Sequence, residues 1–188
     1  MAIATLADLK THMGITASDQ DAKLTVILSG VERWLKDAAK AAGIALEKET
    51  VTEDLDGEGA GRLFLRYRPV ISVTTVYESD SQVFDATTEV AAADFRLYKE
   101  IGMLKRENGA WLDEAQGVRV IYEAGYATPP ETAKLGILVF AAYLAGQAGK
   151  EGFSQERLGD YAYALRALEE VPAAKELLAP YINRLVIL

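Results

Sequence analysis

The chain has 188 residues, of which 50% are hydrophobic and 26% charged, a balance typical of a folded domain and unlike that of a disordered segment. Its net charge of −8 at pH 7 argues against a broad surface that binds duplex DNA. It contains no cysteine, which excludes disulfides, thiolate zinc sites and cysteine nucleophiles within this chain.

Two amphipathic helices are predicted within residues 1–47. In the first, a short helix, Thr5 is expected to be the N-cap and Asp8, three residues later, to complete a capping box. From about Asp19 to Ala42, apolar residues recur every three or four positions, which predicts a long helix with one buried face. Gly43 is well suited to end it.

Residues 48–127 are predicted to form a β-rich insertion. A glycine-rich loop at Gly57–Gly61 precedes a strand from Arg62 to Tyr67, where an apolar face alternates with a largely basic one. Val, Ile, Thr and aromatic residues cluster in five further segments. These predicted strands are Val70–Tyr77, Gln82–Phe84, Phe95–Leu97, Met103–Lys105 and Val118–Tyr122.

The insertion also carries most of the negative charge. Between Val51 and Thr128 there are eight Lys or Arg and fourteen Asp or Glu, which leaves −6 of the total charge of −8 in this segment. The helical segments on either side of it are therefore nearly neutral.

Residues 128–188 are predicted to be helical again. Pro129-Pro130 suits the first turn of a helix, because an N–H is not needed there. The window Leu135–Ala145 is apolar on every side, so this helix should lie at the centre of the core. Its eleven residues are too few for a bilayer crossing, which needs roughly 20 residues, so no membrane contact is expected.

A last helix is expected from Pro172 to about Ala179, ending before Pro180. The elements thus follow the order helices, strands, helices. The predicted fold class is α+β and mainly α: a small helical bundle with a β-rich insertion between the second and third main helices, forming one compact domain overall.

Few residues are candidates for chemistry. His12 is the only histidine, so it cannot belong to a nitrogen-rich metal site, although a role as general base stays open. The stretch Asp54–Gly59 resembles the start of a calcium loop, but its twelfth position is Leu65, where a bidentate Glu is required. A looser cation site on this stretch stays open, and no cofactor is predicted.

A basic stripe is predicted on the first strand. Arg62, Arg66 and Arg68 are expected on one face, with Phe64 among them. One interpretation is a solvated strand face whose arginines pair with nearby carboxylates; the other is a contact with phosphates, an acidic partner or a second subunit.

Several strings, in order along nearly the whole chain, resemble those of one protein family. They are ATLADLKTHMGIT followed by SDQDAKLTVILSGVERWL, then RLFLRYRPVISVTTVY, then VRVIYEAGYATPPETAKLGILVFAAYLA, and finally ERLGDYAYAL and ELLAPY. The family is that of tailed-bacteriophage head-tail connectors of the gp6-like adaptor type.

The resemblance implies a non-enzymatic structural protein of the virion neck, assembled in the bacterial cytoplasm. Such adaptors form a ring, commonly dodecameric, beneath the portal protein and join the head to the tail or to another neck protein. DNA passes through the ring without sequence-specific binding. Two alternatives remain: a neck or tail-completion protein that contacts the tail tube, and a small metal-dependent enzyme using the carboxylates between Asp54 and Glu58.

The resemblance also implies a role for the apolar carboxyl-terminal segment, which would dock onto the portal. The residues implied to bind this partner are Tyr181, Ile182, Leu185, Val186, Ile187 and Leu188. The competing interpretation is that Tyr181, Leu185 and Leu188, spaced as neighbours on a helix, fold back on the core of their own subunit.

Overall fold

The computed structural model describes residues 2–147 and 167–182. The chain divides into two compact units, one built from its two ends and the other from Gly43–Thr128. The first unit is helical and the second contains all the strands of the described part of the chain. The predicted α+β class, with strands inserted between the second and third main helices, is confirmed.

The helical unit contains four described α-helices. They are α1 (Leu6–Met13), α2 (Asp21–Ala41), α3 (Glu131–Gln147) and α4 (Pro172–Ile182). Helix α3 packs against each of the other three, and its buried side chains include Ile137, Phe140 and Leu144. The prediction that this helix forms the core is therefore confirmed. Among the described residues, no helix is both long and apolar enough to cross a membrane.

The predicted capping box begins α1. The Asp8 N–H donates to Thr5 Oγ1 over 3.2 Å, and the Thr5 N–H donates to Asp8 Oδ2 over 2.9 Å. Lys134 of α3 lies 3.0 Å from the other carboxylate oxygen. These hydrogen bonds, chiefly those from Thr5, lower the pKa of Asp8 to about 2.

Helix α4 extends further than predicted. It passes through Pro180 and ends at Ile182, where Ala179 was the expected end. A proline removes a single backbone donor, and Tyr181 and Ile182, the two residues that follow it, are buried in the helical unit. Burial of these side chains compensates for the missing hydrogen bond.

The β-rich unit contains two antiparallel sheets of three strands each. The strands are β1 (Glu49–Leu55), β2 (Arg62–Phe64), β3 (Val70–Glu78), β4 (Phe95–Tyr98), β5 (Met103–Arg106) and β6 (Val118–Ala124). The strand orders are β1-β6-β3 and β2-β5-β4. One hydrophobic cluster includes residues of both sheets, among them Val76, Leu104 and Val120.

Two strand predictions are wrong. The strand predicted at Arg62–Tyr67 ends at Phe64, and Leu65 donates its N–H to the Gly102 carbonyl outside the ladder. The segment Gln82–Phe84 is not a strand, because the hydrogen bonds of its main chain are local: the Val83 N–H donates to Ser79 Oγ. Strand β1 was not predicted at all.

Candidate interaction surfaces

The sheet β2-β5-β4 has one face in the core. Its register places Leu63, Leu104 and Leu97 in a row across the three strands. Leu63 and Leu104 are buried, and Leu97 packs against the same cluster. Since side chains alternate along a strand, the residues before and after each leucine lie on the opposite face.

That opposite face carries a basic row and an apolar row, and we call it the basic-aromatic face. Its residues are Arg62, Lys105 and Arg96 in one row and Phe64, Met103 and Tyr98 in the other. Phe64 is 59% exposed and Tyr98 is 38% exposed, which is unusual for large aromatic side chains. The face therefore presents cations beside aromatic rings.

Two of its three cations have no anionic partner among the described residues. Arg96 Nε lies 2.9 Å from Glu107 Oε1. Arg62 and Lys105 form no ion pair with any residue in the described ranges. Like charges directly opposite each other destabilise an antiparallel pair, and Lys105 has an arginine opposite it on each side. The basic row is therefore held at a cost in folding free energy.

The other two predicted contact arginines do not belong to this face. Arg66 and Arg68 follow the end of β2. The Arg66 guanidinium lies over the Tyr67 ring, 5.4 Å from its centroid, and Arg68 is half-buried. The structure thus separates Arg62 from the two arginines that the sequence grouped with it.

Two loops of the same unit bring four exposed carboxylates together. The Gly57 N–H donates to the Glu114 carbonyl over 3.3 Å, and a Cβ at Gly57 would lie 1.7 Å from the Leu112 carbonyl oxygen. The Gln116 N–H donates to Asp56 Oδ1 over 2.7 Å. The four residues of this acidic loop pair are Asp56, Glu58, Asp113 and Glu114. Within the part of the chain that the structure describes, none of them pairs with Lys or Arg.

A half-buried ion pair joins the two sheets. Arg106 of β5 lies 2.5 Å from Glu78 of β3, and both side chains are less than a fifth exposed. The second Glu78 oxygen accepts the Leu112 N–H over 2.9 Å. The Arg106 guanidinium also lies over the Trp111 ring, 4.9 Å from its centroid. These contacts connect β5, a strand of the basic-aromatic face, to the loop that carries Asp113 and Glu114.

Comparison with known families identifies the chain. A profile of phage gp6-like head-tail connector proteins matches residues 3–111, which is more than half of the sequence. The chain belongs to this family. The predicted resemblance is thus confirmed, and the role of this connector is structural, that of a head-tail connector protein.

Solved structures share the fold. A chain in the neck of an empty gene transfer agent (GTA) particle, computed with C6 symmetry, is 20% identical with a TM-score of 0.56; the match covers 86% of this chain and 87% of that one. A chain in the virion of a native GTA particle gives the same values. One in the neck of a native GTA particle, computed with C12 symmetry, is 19% identical with a TM-score of 0.55 and 86% coverage of both chains. No curated protein matches the connector significantly.

The predicted portal-binding segment of the connector is only partly described. Tyr181 and Ile182 are each 6% exposed, and the Tyr181 hydroxyl lies 2.6 Å from Thr132 Oγ1 of α3. Their side chains therefore belong to the helical core. The other four predicted residues, Leu185, Val186, Ile187 and Leu188, lie outside the described residues.

Two of the carboxylates considered for a cation site, Asp54 and Asp56, have other partners. Asp54 belongs to β1 and forms two hydrogen bonds with the Arg119 guanidinium, of 2.6 and 2.7 Å, which lower the pKa of its carboxyl. Asp56 accepts a backbone N–H. His12 is exposed in the last turn of α1, and no group of three metal-binding side chains occurs among the described residues.

Sequence reasoning missed most of the basic-aromatic face. Arg96 and Lys105 lie on predicted strands and Tyr98 lies just beyond one, but their alignment with Arg62 and Phe64 depends on the order of the strands in the sheet. The available signal was the alternation in Phe95–Tyr98 and Met103–Arg106, where each strand carries a basic and an apolar residue on its outer side.

Proposed function

We propose that this connector is a subunit of a ring that lies between the portal and the tail and lets DNA pass through its centre. The observation that carries the proposal is the family match over residues 3–111. The structural neighbours support a ring, because the necks that contain them were computed with C6 and C12 symmetry. A dodecamer fits the second of these symmetries.

The charge of the connector supports the passage of DNA. The chain carries −8 in total, and −6 lies between Val51 and Thr128. A surface of the same sign as the phosphate backbone repels DNA over roughly 8–10 Å at physiological salt, so DNA would slide past without being retained. Our proposal is that this segment contributes to the wall of the channel.

The carboxyl-terminal segment is proposed to dock onto the portal after assembly in the bacterial cytoplasm. Tyr181 and Ile182 are buried and would anchor the base of the segment. Leu185, Val186, Ile187 and Leu188 would then supply apolar side chains or a strand edge to the partner. In this arrangement, anchoring and docking are performed by different residues.

Light scattering and portal binding test the proposal. The mass of the full chain would be measured alone and with purified portal rings, beside a variant that lacks residues 183–188 and retains the buried Ile182. We expect a ring with the portal for the full chain and loss of portal binding on truncation. A matched control replaces exposed Glu100 by Gln, which should change neither result. A chain that never exceeds the monomer mass with the portal would refute the ring.

The two alternatives have distinct tests. A tail-completion protein would bind purified tail tubes and would not bind portal rings. A metal-dependent enzyme would gain thermal stability on addition of divalent cations, since a ligand that binds the folded state stabilises it. The bidentate pairing of Asp54 with Arg119 argues against that gain.

A further inference from the structure

The β-rich unit carries two oppositely charged surfaces, and we infer that they meet between neighbouring subunits. The basic-aromatic face of one copy would dock onto the acidic loop pair of the next copy. This inference rests on the proposed ring and names the surfaces that would build it.

Uncompensated charge is the first argument. Arg62 and Lys105 lie opposite each other on adjacent strands and have no carboxylate partner in the described residues. The repulsion between them is an avoidable cost, because the same sheet would be more stable with one of them neutral. Carboxylates of another surface placed against the row would offset this repulsion. The same charges that destabilise the isolated subunit would then favour docking.

The exposed aromatic row is the second argument. Phe64 is 59% exposed on a strand whose other face is buried, and Tyr98 lies across the sheet from it with Met103 between them. Met103 is only 8% exposed, so the two rings supply the apolar surface, and aromatic residues beside Arg are enriched in protein–protein interfaces. The apolar row would form the dry centre of a contact, with the cations at its side.

The partner is argued from charge complementarity. Asp56, Glu58, Asp113 and Glu114 are exposed, carry no Lys or Arg partner among the described residues, and are held together by backbone packing of their loops. No ion pair joins this acidic loop pair to the basic-aromatic face of the same chain within the described ranges. We therefore expect each surface to pair with the oppositely charged surface of another copy.

The pairing also bears on the kind of symmetry. A two-fold contact made by the basic-aromatic face alone would put its cations against each other. A contact between two different surfaces is head-to-tail, and such contacts generate rings when the rotation closes. The charge pattern therefore favours a contact between two different surfaces, which is the kind of contact that builds a ring.

Duplex DNA is the competing occupant of the basic-aromatic face. Only three cations lie in the row, one of them already paired with Glu107, whereas DNA-binding surfaces depend on many phosphate contacts. The net charge of −8 opposes DNA at longer range. A second copy of this acidic chain is the partner that these observations favour.

A charge-swap experiment tests the docking. The double variant R62E/K105E should weaken ring formation about tenfold, because each reversal turns an attraction into a repulsion. The variant D113K/E114K should do the same, whereas a one-to-one mixture of the two variants should assemble, since every contact between unlike variants pairs an acidic surface with a basic one. The quadruple variant, with both surfaces reversed, should recover the ring. All four positions are exposed, and circular dichroism checks that each variant is folded.

Site-directed cross-linking tests the geometry without changing the charge pattern broadly. Because the chain has no cysteine, K105C and E114C introduce one thiol per copy, and every cross-link formed by a short bis-maleimide joins two copies. In assembled rings we expect K105C to link to E114C in preference to itself. The matched control is D85C, an exposed acidic position in a different loop of the same unit.

The outcomes separate this inference from the proposed function. Rings that assemble normally, but in which K105C links to D85C as readily as to E114C, overturn the interface and leave the ring proposal intact. If R62E/K105E keeps the ring mass and loses retention on duplex DNA, the face binds DNA and the inference is wrong. If no ring forms with or without portal, both proposals fall together. Recovery by the quadruple variant supports the docking.

Discussion

The contact between α3 and α4 makes a sharp prediction about two glycines in one helix. A Cβ at Gly136 would lie 2.5 Å from Leu178 Cδ2 and 2.7 Å from its Cγ, whereas a Cβ at Gly146 would meet nothing within 4 Å. Leu178 is fully buried, so its side chain has little room to move. The two Gly→Ala substitutions should therefore have opposite effects on stability.

The magnitudes follow from two competing terms. Alanine favours a helix over glycine by about 1 kcal/mol, and overpacking a filled core costs about 1–3 kcal/mol. G136A should thus lower the free energy of unfolding by about 1 kcal/mol, while G146A raises it by about 0.5–1 kcal/mol. The expected difference between the variants is about 2 kcal/mol.

Urea unfolding measures this difference. The helical band in circular dichroism would report the helices. With Trp111 of the other unit replaced by Phe in every variant, the fluorescence of Trp34, whose ring lies 5.7 Å from that of Phe140 in α3, would report the same unit locally. The reasoning is refuted if the two variants shift the midpoint in the same direction by the same amount. That result would mean that α4 can move away from α3 without cost.

Three further predictions concern named contacts. E78Q removes the charge that compensates Arg106 in the ion pair between the sheets and should cost about 2–3 kcal/mol, whereas E107Q, in an exposed pair, should cost at most about 0.5 kcal/mol; urea unfolding compares them. The pKa of the Asp8 carboxyl is lowered from 3.8 to about 2, so the contribution of the ionised group to the free energy of unfolding is complete above pH 3.8 and is lost as the pH falls towards 2. The difference in stability between wild type and D8N should close over that interval in acid titrations. L104A should cost about 2–5 kcal/mol by leaving a cavity in the β-rich unit, and a shift in melting temperature no larger than that of E107Q would contradict its assignment to the core.

The helices could be predicted because their signals are local. The capping box of Thr5 and Asp8 spans four residues, and the apolar spacing of α2 needs no knowledge of its partners. The start of α3 moved only from Pro129 to Glu131, within the usual uncertainty of helix ends. The sequence predicts that the last helix ends before Pro180, because helix propensity takes no account of burial. In the structure the burial of Tyr181 outweighs the low helix propensity of proline.

The strands show what local signals omit. Strand β1 is Glu49-Thr-Val-Thr-Glu-Asp-Leu55, with few apolar residues, and it is stabilised by pairing along its whole length with β6. Asp54 of this strand pairs with Arg119, 65 residues away, and this ion pair cannot be predicted without the strand register. The basic-aromatic face is missed for the same reason, because the sequence does not show that Lys105 lies opposite Arg62 and Arg96.

The distribution of charge connects the two proposals. A ring of acidic subunits must overcome repulsion between its members, and neutralising the acidic surface throughout would also remove the field that keeps DNA from adhering. In the proposed contact, Arg62 and Lys105 offset carboxylates of the neighbouring subunit and so reduce the repulsion between subunits. The net charge of each chain stays at −8, so the repulsion of DNA is kept. Because salt screens such contacts between charged surfaces, ring stability should fall as ionic strength rises. Rings that tighten steadily with added salt would instead indicate that the apolar row carries the contact and that the charges only repel.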